Sequence, residues 1–192
     1  MTIFPRRLYL VAVLAAVLVA LPTSSRAGTY GEFAAGLLHN LPAGARFRPD
    51  LEAVMAGLAS RYRVGEGKAP LQPSNDFRDA ARAHAADMML NGFVGHRAST
   101  GHNFDSRMRV FAGDITRFPA MAENAAQASG KSSADAAKAR RLFQQWIESA
   151  AHRRTLLKRD YRFVASGVVE RHGQLWAVQI FWAKPRQKGM FQ

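Results

Sequence analysis

The feature that most limits the fold of this chain is a change of hydrophobic period along it. In residues 51–63 and again in 75–91, apolar side chains recur every three or four positions, the period of a helix. Near the end, Phe163–Glu170 and Leu175–Trp182 are rich in valine and aromatic residues, with Arg171-His172-Gly173-Gln174 between them. Two such stretches around a turn predict a β-hairpin. Helices followed by a hairpin indicate the α+β class.

Turn and cap signals place two more helices in the middle of the chain. Ser74 is a suitable N-cap for the second of the helices above. A short helix is predicted around 104–110, and a longer one over about 134–150 with Ser132 or Ser133 as its cap. No internal repeat and no second domain are evident.

The first 27 residues have the order of a secretory signal peptide. Arg6 and Arg7 precede an apolar run of 14 residues, Leu8–Leu21, and Ser25-Arg26-Ala27 is a small-x-small cleavage site. Spanning a bilayer takes about 20 apolar residues. We therefore expect cleavage near Ala27, a secreted or periplasmic mature protein, and no stable transmembrane anchor.

The mature chain divides by composition into an arm, a domain and a tail. Residues 28–49 contain several glycines and prolines and are expected to form an irregular arm, and 184–192 form a short basic tail. The domain between them, 50–183, carries the periodic segments. Within it, Met121–Ala128 is ambiguous between strand and loop.

Charge and cysteine content narrow the chemistry. The chain has 27 Lys+Arg, 14 Asp+Glu and a net charge of +13, which falls to +10 when Arg6, Arg7 and Arg26 leave with the signal peptide. The absence of cysteine excludes disulfides, thiolate nucleophiles and cysteine-ligated metal sites. Outside the cytoplasm a basic protein meets lipid headgroups and wall polymers, so the charge favours an anionic envelope component as partner and nucleic acid is not expected; the alternative is that the charge only keeps the protein soluble.

The histidines are the remaining candidates for chemistry. His84 lies on an apolar helix face and is interpreted as a packed core residue. His96 follows a helix stop, His152 lies at a helix junction, and Glu123 falls between them in the sequence. Two imidazoles and a carboxylate suit a divalent metal, although no local spacing brings these three together.

Several motifs, in order, resemble one known family, the bacterial branch of the CAP domain superfamily, which includes cysteine-rich secretory proteins, antigen 5 and plant pathogenesis-related proteins. The resemblance extends over about residues 50–183. The motifs are Ala83–Met88 with Gly92–His96, then Ala122-Glu123-Asn124, then Trp146–Arg153 with its Ser149-x-x-His152-Arg153 core, and the closing hairpin with Gly167-Val168-Val169.

The resemblance implies a three-layer α-β-α sandwich with a central antiparallel sheet. It also implies that His96 and His152 face one another in an open cleft and bind a divalent metal such as zinc. Glu123, Asn124 and Ser149 would line that cleft.

Three positions depart from the family pattern. Ala122 replaces a glycine, and Ser60 stands where the first helix usually has asparagine. Ser149 occupies the position of a second cleft glutamate in the animal and plant branch, and Glu148 is one residue away, about 100° around a helix. A reaction that needs both carboxylates is therefore not expected here.

Three functions follow from these observations. The first is an exported protein that binds an envelope or extracellular ligand, whether lipid, wall polymer or protein. The alternative is a metal-dependent hydrolase of envelope or peptide substrates, with Glu123 as general base. The third is a stable domain whose cleft has lost its activity. No nucleophile elbow surrounds Ser149, so a serine-hydrolase triad is not predicted.

Overall fold

The computed structural model of the chain describes residues 29–130 and 132–186. The predicted signal peptide and the last residues of the basic tail lie outside these ranges. Within them are six α-helices, a short 3₁₀ helix at Ile115–Arg117, and five strands. The helices are α1 Tyr30–His39, α2 Pro49–Gly65, α3 Arg78–Asn91, α4 Phe104–Ala112, α5 Ala136–Glu148 and α6 Ala150–Leu157; the strands are β1 Ala45–Phe47, β2 Gln72–Pro73, β3 Met121–Ala128, β4 Phe163–Arg171 and β5 Gln174–Trp182.

The sheet is built around the predicted hairpin. β4 and β5 pair along their whole length, and the ambiguous segment β3 is a strand antiparallel to β5. The order is β1-β4-β5-β3, all antiparallel, and β2 adds a short parallel pairing to β4. The hairpin turn is His172-Gly173, with φ of 51° and 78°. A two-residue loop with both residues at positive φ matches the right-handed twist of the strands.

Helices cover both faces of the sheet, as the family resemblance implied. Alternate hairpin residues, among them Val164, Val168 and Phe181, contribute to the core with α2, α5 and α6. Their neighbours Ala165, Val178 and Ile180 contribute to the core with α3 and α4. α1 packs on the outside of α3. The three-layer α-β-α prediction is confirmed, since both faces of each central strand are buried.

The expectation of an irregular arm over 28–49 is wrong. Thr29 and Glu32 form a capping box, each side chain accepting the other's backbone N–H, and α1 follows immediately. Its buried residues Tyr30, Ala34 and Leu37 are spaced by four and three positions. The glycines of this segment made it resemble a loop, but Gly36 is an interior residue of the helix.

Two predicted caps are also wrong. α3 begins at Arg78, later than predicted, because the backbone N–H of Ser74 donates to Val164 and extends the β2 pairing. α5 is capped by Asp135, which accepts from the N–H of Lys138, in place of the serines before it. The helix predicted over 134–150 ends at Ser149, whose extended backbone separates α5 from α6.

A buried arginine fixes the end of α6. The Arg63 guanidinium donates to the carbonyls of Ala69, Leu156 and Lys158 at 2.9, 2.6 and 2.8 Å. Its side chain is fully buried and its acceptors are backbone oxygens. It therefore joins the end of α2 to the loop after it and to the C-terminus of α6, the helix that carries His152.

The far end of β4 provides a test of pH-dependent stability. Burial raises the pKa of Glu170, but hydrogen bonds from Arg46 and Arg48 outweigh this, so its pKa lies below the ordinary 4.5. A lowered folded-state pKa adds stability above 4.5 that is lost as pH falls through the folded-state pKa. Glu170→Gln should lower the free energy of unfolding by about 1 kcal/mol at pH 7. In urea titrations the difference from the wild type should shrink towards pH 3; an equal difference at both pH values would contradict this.

Candidate functional site

The loop after α3 carries His96 and is held on both sides. α3 ends at Gly92, whose left-handed φ of 66° turns the chain away from the helix. The buried His84 on α3 donates from Nε2 to the carbonyl of Gly95 at 2.7 Å. Arg107 on α4 donates to the carbonyl of His96 at 3.1 Å. These two bonds fix the main chain that positions the His96 ring.

A carboxylate anchors the far part of the same loop. Asp87, fully buried on α3, accepts from the backbone N–H of Ser99 at 2.9 Å and from its hydroxyl at 2.5 Å. Asn91 donates to the same carboxylate at 2.8 Å. The loop therefore depends on two buried polar residues of α3, one turn apart, His84 and Asp87.

Glu123 lies at the centre of the site, on β3. Arg107 Nη2 donates to both of its oxygens, at 2.8 and 2.9 Å, and both side chains are buried. His96 Nδ1 lies 3.0 Å from Oε1, and His84 Nε2 lies 3.7 Å from the same oxygen. Two histidines and an arginine thus surround one carboxylate.

The contacts of Glu123 determine its charge state. Burial raises the pKa of Glu123, but the hydrogen bond from His96 and the charge of Arg107 outweigh it and lower the pKa. The same hydrogen bond raises the pKa of His96. Because a carboxylate only accepts, His96 Nδ1 carries a hydrogen, and in the neutral ring Nε2 has a free lone pair.

His152 enters from the other side of the sheet. It lies in the first turn of α6, half-buried, and its ring centroid is 6.4 Å from that of His96. Asn124 lies next to Glu123 on β3 but faces α6, where its side-chain amide donates to the carbonyl of His152 at 3.2 Å. Burial, followed by the charge of His96, lowers the pKa of His152, so this ring is neutral at neutral pH.

The structure brings together four of the five predicted site residues: His96, Glu123, Asn124 and His152. Ser149 lines an adjacent cavity of about 400 Å³ together with His152 and Trp146. In the described part of the chain, its hydroxyl makes no capping bond at the N-terminus of α6. Glu148 is exposed and accepts from Gln144, away from the cleft.

Sequence reasoning missed Arg107 and underestimated His84. His84 is the buried core residue that was predicted, but it also orients the His96 loop and lies beside Glu123. Arginine is rarely buried without a partner. A buried carboxylate at Glu123 would have indicated that a buried arginine pairs with it. That signal was missing because the sequence did not show that β3 is a buried strand.

His96 and His152 are the residues of this site that could hold a metal ion. In the parts of the chain that the structure describes, no group of three His, Cys, Asp or Glu side chains is arranged to hold a metal ion. The Glu123 oxygens already accept hydrogen bonds from Arg107 and His96. The atoms of this site that remain to ligate a cation are therefore the ring nitrogens of His96 and His152. A cation there would take its other ligands from water or a bound molecule.

The chain matches one protein family in sequence and several solved bacterial proteins in structure. The Cysteine-rich secretory protein family (CAP) matches residues 58–181. A solved extracellular protein with an SCP domain from Bacillus anthracis is similar at 23% identity and a TM-score of 0.57, over 72% of this chain and 45% of that one. An outer surface protein from Borrelia burgdorferi is 13% identical with a TM-score of 0.60, over 73% and 98% of the two chains.

A third similar structure is a cysteine-rich secretory protein from Staphylococcus aureus, 17% identical with a TM-score of 0.51, over 71% of this chain and 39% of that one. This chain therefore spans under half the length of the Bacillus and Staphylococcus proteins. No curated protein sequence matches it significantly. Among the described residues, none of the helices has the length and apolar character needed to cross a bilayer.

Proposed function

This chain belongs to the Cysteine-rich secretory protein family, and we propose that it is an exported binding protein whose cleft holds a divalent cation, such as zinc, between His96 and His152. The observation that carries the proposal is the His96–Glu123 hydrogen bond, with the second imidazole 6.4 Å away. A carboxylate on one ring nitrogen fixes the tautomer and leaves the other nitrogen to bind metal.

The distance between the rings brings a shared cation within reach after a small movement. In a tetrahedral zinc site, with Zn–N bonds of about 2.0–2.1 Å, two imidazole centroids lie roughly 5 Å apart. The observed 6.4 Å between the centroids therefore requires the two rings to approach each other by about 1 Å when the cation binds. The lowered pKa of His152 supplies one neutral imidazole. Glu123 raises the pKa of His96 and so favours the doubly protonated ring; the cation would displace the proton on Nε2 and leave the Nδ1 hydrogen bonded to Glu123. Binding is therefore expected to weaken in acid.

The contacts of Glu123 favour binding over hydrolysis. A general base is most effective when its pKa is near the working pH. Burial raises the pKa of Glu123, but His96 and Arg107 lower it below the ordinary value, which makes this carboxylate a weak base. We assign Glu123 the role of orienting His96. Hydrolysis of peptides or esters that stops with a chelator and in Glu123→Gln would instead favour the hydrolase.

The bound molecule is proposed to come from the envelope or its surroundings: a lipid, a wall polymer or a protein. With residues 1–27 removed as a signal peptide, the mature chain has a net charge of +10. Attraction to anionic headgroups or polymers falls with salt, because the Debye length shrinks from about 10 Å at 0.1 M to about 3 Å at 1 M. Vesicle binding that is independent of salt would argue against this electrostatic contribution.

Calorimetry with zinc tests the cation site directly. The wild type should bind one Zn²⁺, and the double variant His96→Ala/His152→Ala should show no binding at this site, because both imidazole ligands are gone. The matched control, His39→Ala/His172→Asn, removes two exposed histidines; asparagine is used at 172 because that residue has a positive φ. Unchanged affinity in the first variant would reject the site.

A further inference from the structure

The outer edge of β4 is paired by several short pieces of the chain. Its even-numbered residues direct their backbone groups away from β5, since Val164 and Val168 each accept from a segment outside the hairpin. The backbone N–H of Ser74 donates to the carbonyl of Val164, and the backbone N–H of Arg48 donates to the carbonyl of Val168. The N–H of Val168 donates to the carboxylate of Glu52 on α2.

One position on this edge is open. Ser166 lies between Val164 and Val168, so its N–H and C=O face the same outward direction. β2 pairs only up to Pro73, and β1 pairs only from Val169 onward. Within the described residues, neither backbone group of Ser166 has a partner across this edge. A donor and an acceptor are therefore presented at the spacing of a β-ladder.

The open position faces a cavity of about 280 Å³. Ser166 forms part of its wall, together with Ala53 and Ala56 of α2 and with Ser74 and Arg78. Pockets for small ligands are typically about 300–1,000 Å³. At about 280 Å³ this cavity is just below that range, a size that suits one or two residues of an extended chain.

The charged groups around the cavity favour a carboxylate. Glu52 lines it, but its two oxygens accept from Arg82 at 2.7 Å each, so that charge is neutralised within the fold. Arg78 also lines the cavity; one guanidinium nitrogen donates to Asn75, and its Nε has no hydrogen-bond partner in the described part of the chain. Among the described residues that line the cavity, Arg78 is the cation left to pair with a ligand.

We propose that this cavity binds the carboxyl-terminal end of an extended peptide. The penultimate residue would pair its N–H and C=O with Ser166 and complete the ladder, and the terminal carboxylate would meet Arg78. Guanidinium groups match the geometry of a carboxylate. The site lies on the β4 edge, whereas His96 and Glu123 lie towards β3 at the opposite edge, so it is independent of the proposed cation cleft.

The first test is amide hydrogen exchange in the free protein. The N–H of Ser166 should exchange at least tenfold faster than those of Val164 and Val168, because only the latter two are paired at this edge. Equal protection at the three positions would mean that the edge is already closed, and would overturn the proposal.

The second test is a titration with tetra-alanine followed by amide chemical shifts. The Ser166 signal should shift saturably with the free-acid peptide. The peptide with a C-terminal amide should bind the protein at least fivefold more weakly, because it lacks the carboxylate. Arg78→Gln should weaken binding to the same extent, whereas Arg140→Gln, an exposed arginine of α5, should not. Ala53→Phe, at an exposed position on the cavity wall, should block binding by steric overlap.

Other occupants give different results. Pairing with a second copy of this chain would make the Ser166 shift depend on protein concentration without peptide, and would contradict the proposal. So would equal binding of acid and amide peptides, or no shift at all. The His96→Ala/His152→Ala variant should bind the peptide normally, which separates failure of the cleft from failure of this site.

Discussion

Replacing Gly167 with alanine is expected to destabilise the domain by about 3 kcal/mol or more, the upper part of the range for overpacking a core. Gly167 lies in the middle of β4, where the backbone of α3 crosses the sheet. A Cβ built there would lie 2.3 Å from the carbonyl carbon of Ala81 and from the N of Arg82. Both atoms are backbone, so relief requires α3 to move as a unit. Urea unfolding followed by circular dichroism measures the loss.

A second glycine in the same protein provides the control. Gly36 is an interior residue of α1, and a Cβ there would have no atom within 4 Å. Alanine at this position should stabilise the protein by about 0.5–1 kcal/mol, the difference between these residues in a helix. The two substitutions add the same methyl group and should change stability in opposite directions. A Gly167→Ala protein as stable as the wild type would show that α3 does not rest on β4 at this distance.

Gly167→Ala should also disturb the cleft that contains His96, at a distance from the substituted residue. α3 carries His84, which holds the carbonyl of Gly95 and lies beside Glu123. If α3 is lifted from the sheet, His84 and Asp87, the two α3 residues that anchor the His96 loop, are displaced relative to Glu123. Zinc affinity in Gly167→Ala should therefore fall, even under conditions in which the variant is still folded, while it is unchanged in Gly36→Ala.

The central elements were predictable because each has a long periodic pattern. The hairpin alternates over two nine-residue strands around a two-residue turn, and α2 and α3 keep a helical period over several turns. β1 and β2 have three and two residues, too few for any pattern to emerge. α1 was missed because glycines interrupt its pattern, although Thr29 and Glu32 do form the capping box that precedes it.

The candidate site was less predictable than the fold because its members come from separate elements. His96, Glu123 and His152 lie on a loop, a strand and a helix, 27 and 29 residues apart, so periodicity within one element cannot relate them. Only the resemblance to the CAP family linked them. Asn124 and Glu123 point to opposite faces of β3, which follows from strand alternation once β3 is known to be a strand.

Replacing Arg107 with methionine should have the second large effect, about 3–5 kcal/mol, the cost of breaking a buried ion pair by removing one partner. Arg107 and Glu123 are both buried, and one guanidinium nitrogen serves both carboxylate oxygens and the carbonyl of His96. In Arg107→Met the carboxylate keeps only histidine contacts, so its folded-state pKa should rise. Urea unfolding at pH 7 measures the loss.

The pH dependence separates this charge effect from a simple packing defect. In the wild type the pKa of Glu123 is lowered, because His96 and Arg107 outweigh the effect of burial, so the pair contributes stability that is lost as pH falls through that pKa. In Arg107→Met a raised pKa lets the carboxyl become neutral in the fold. The difference in unfolding free energy between the wild type and Arg107→Met should therefore narrow from pH 8 to pH 5.

The double variant Arg107→Met/Glu123→Gln should recover part of the loss at pH 8, because no buried charge remains unpaired. A difference that is constant with pH, together with additive losses in the double variant, would mean that Arg107 acts only through its bulk.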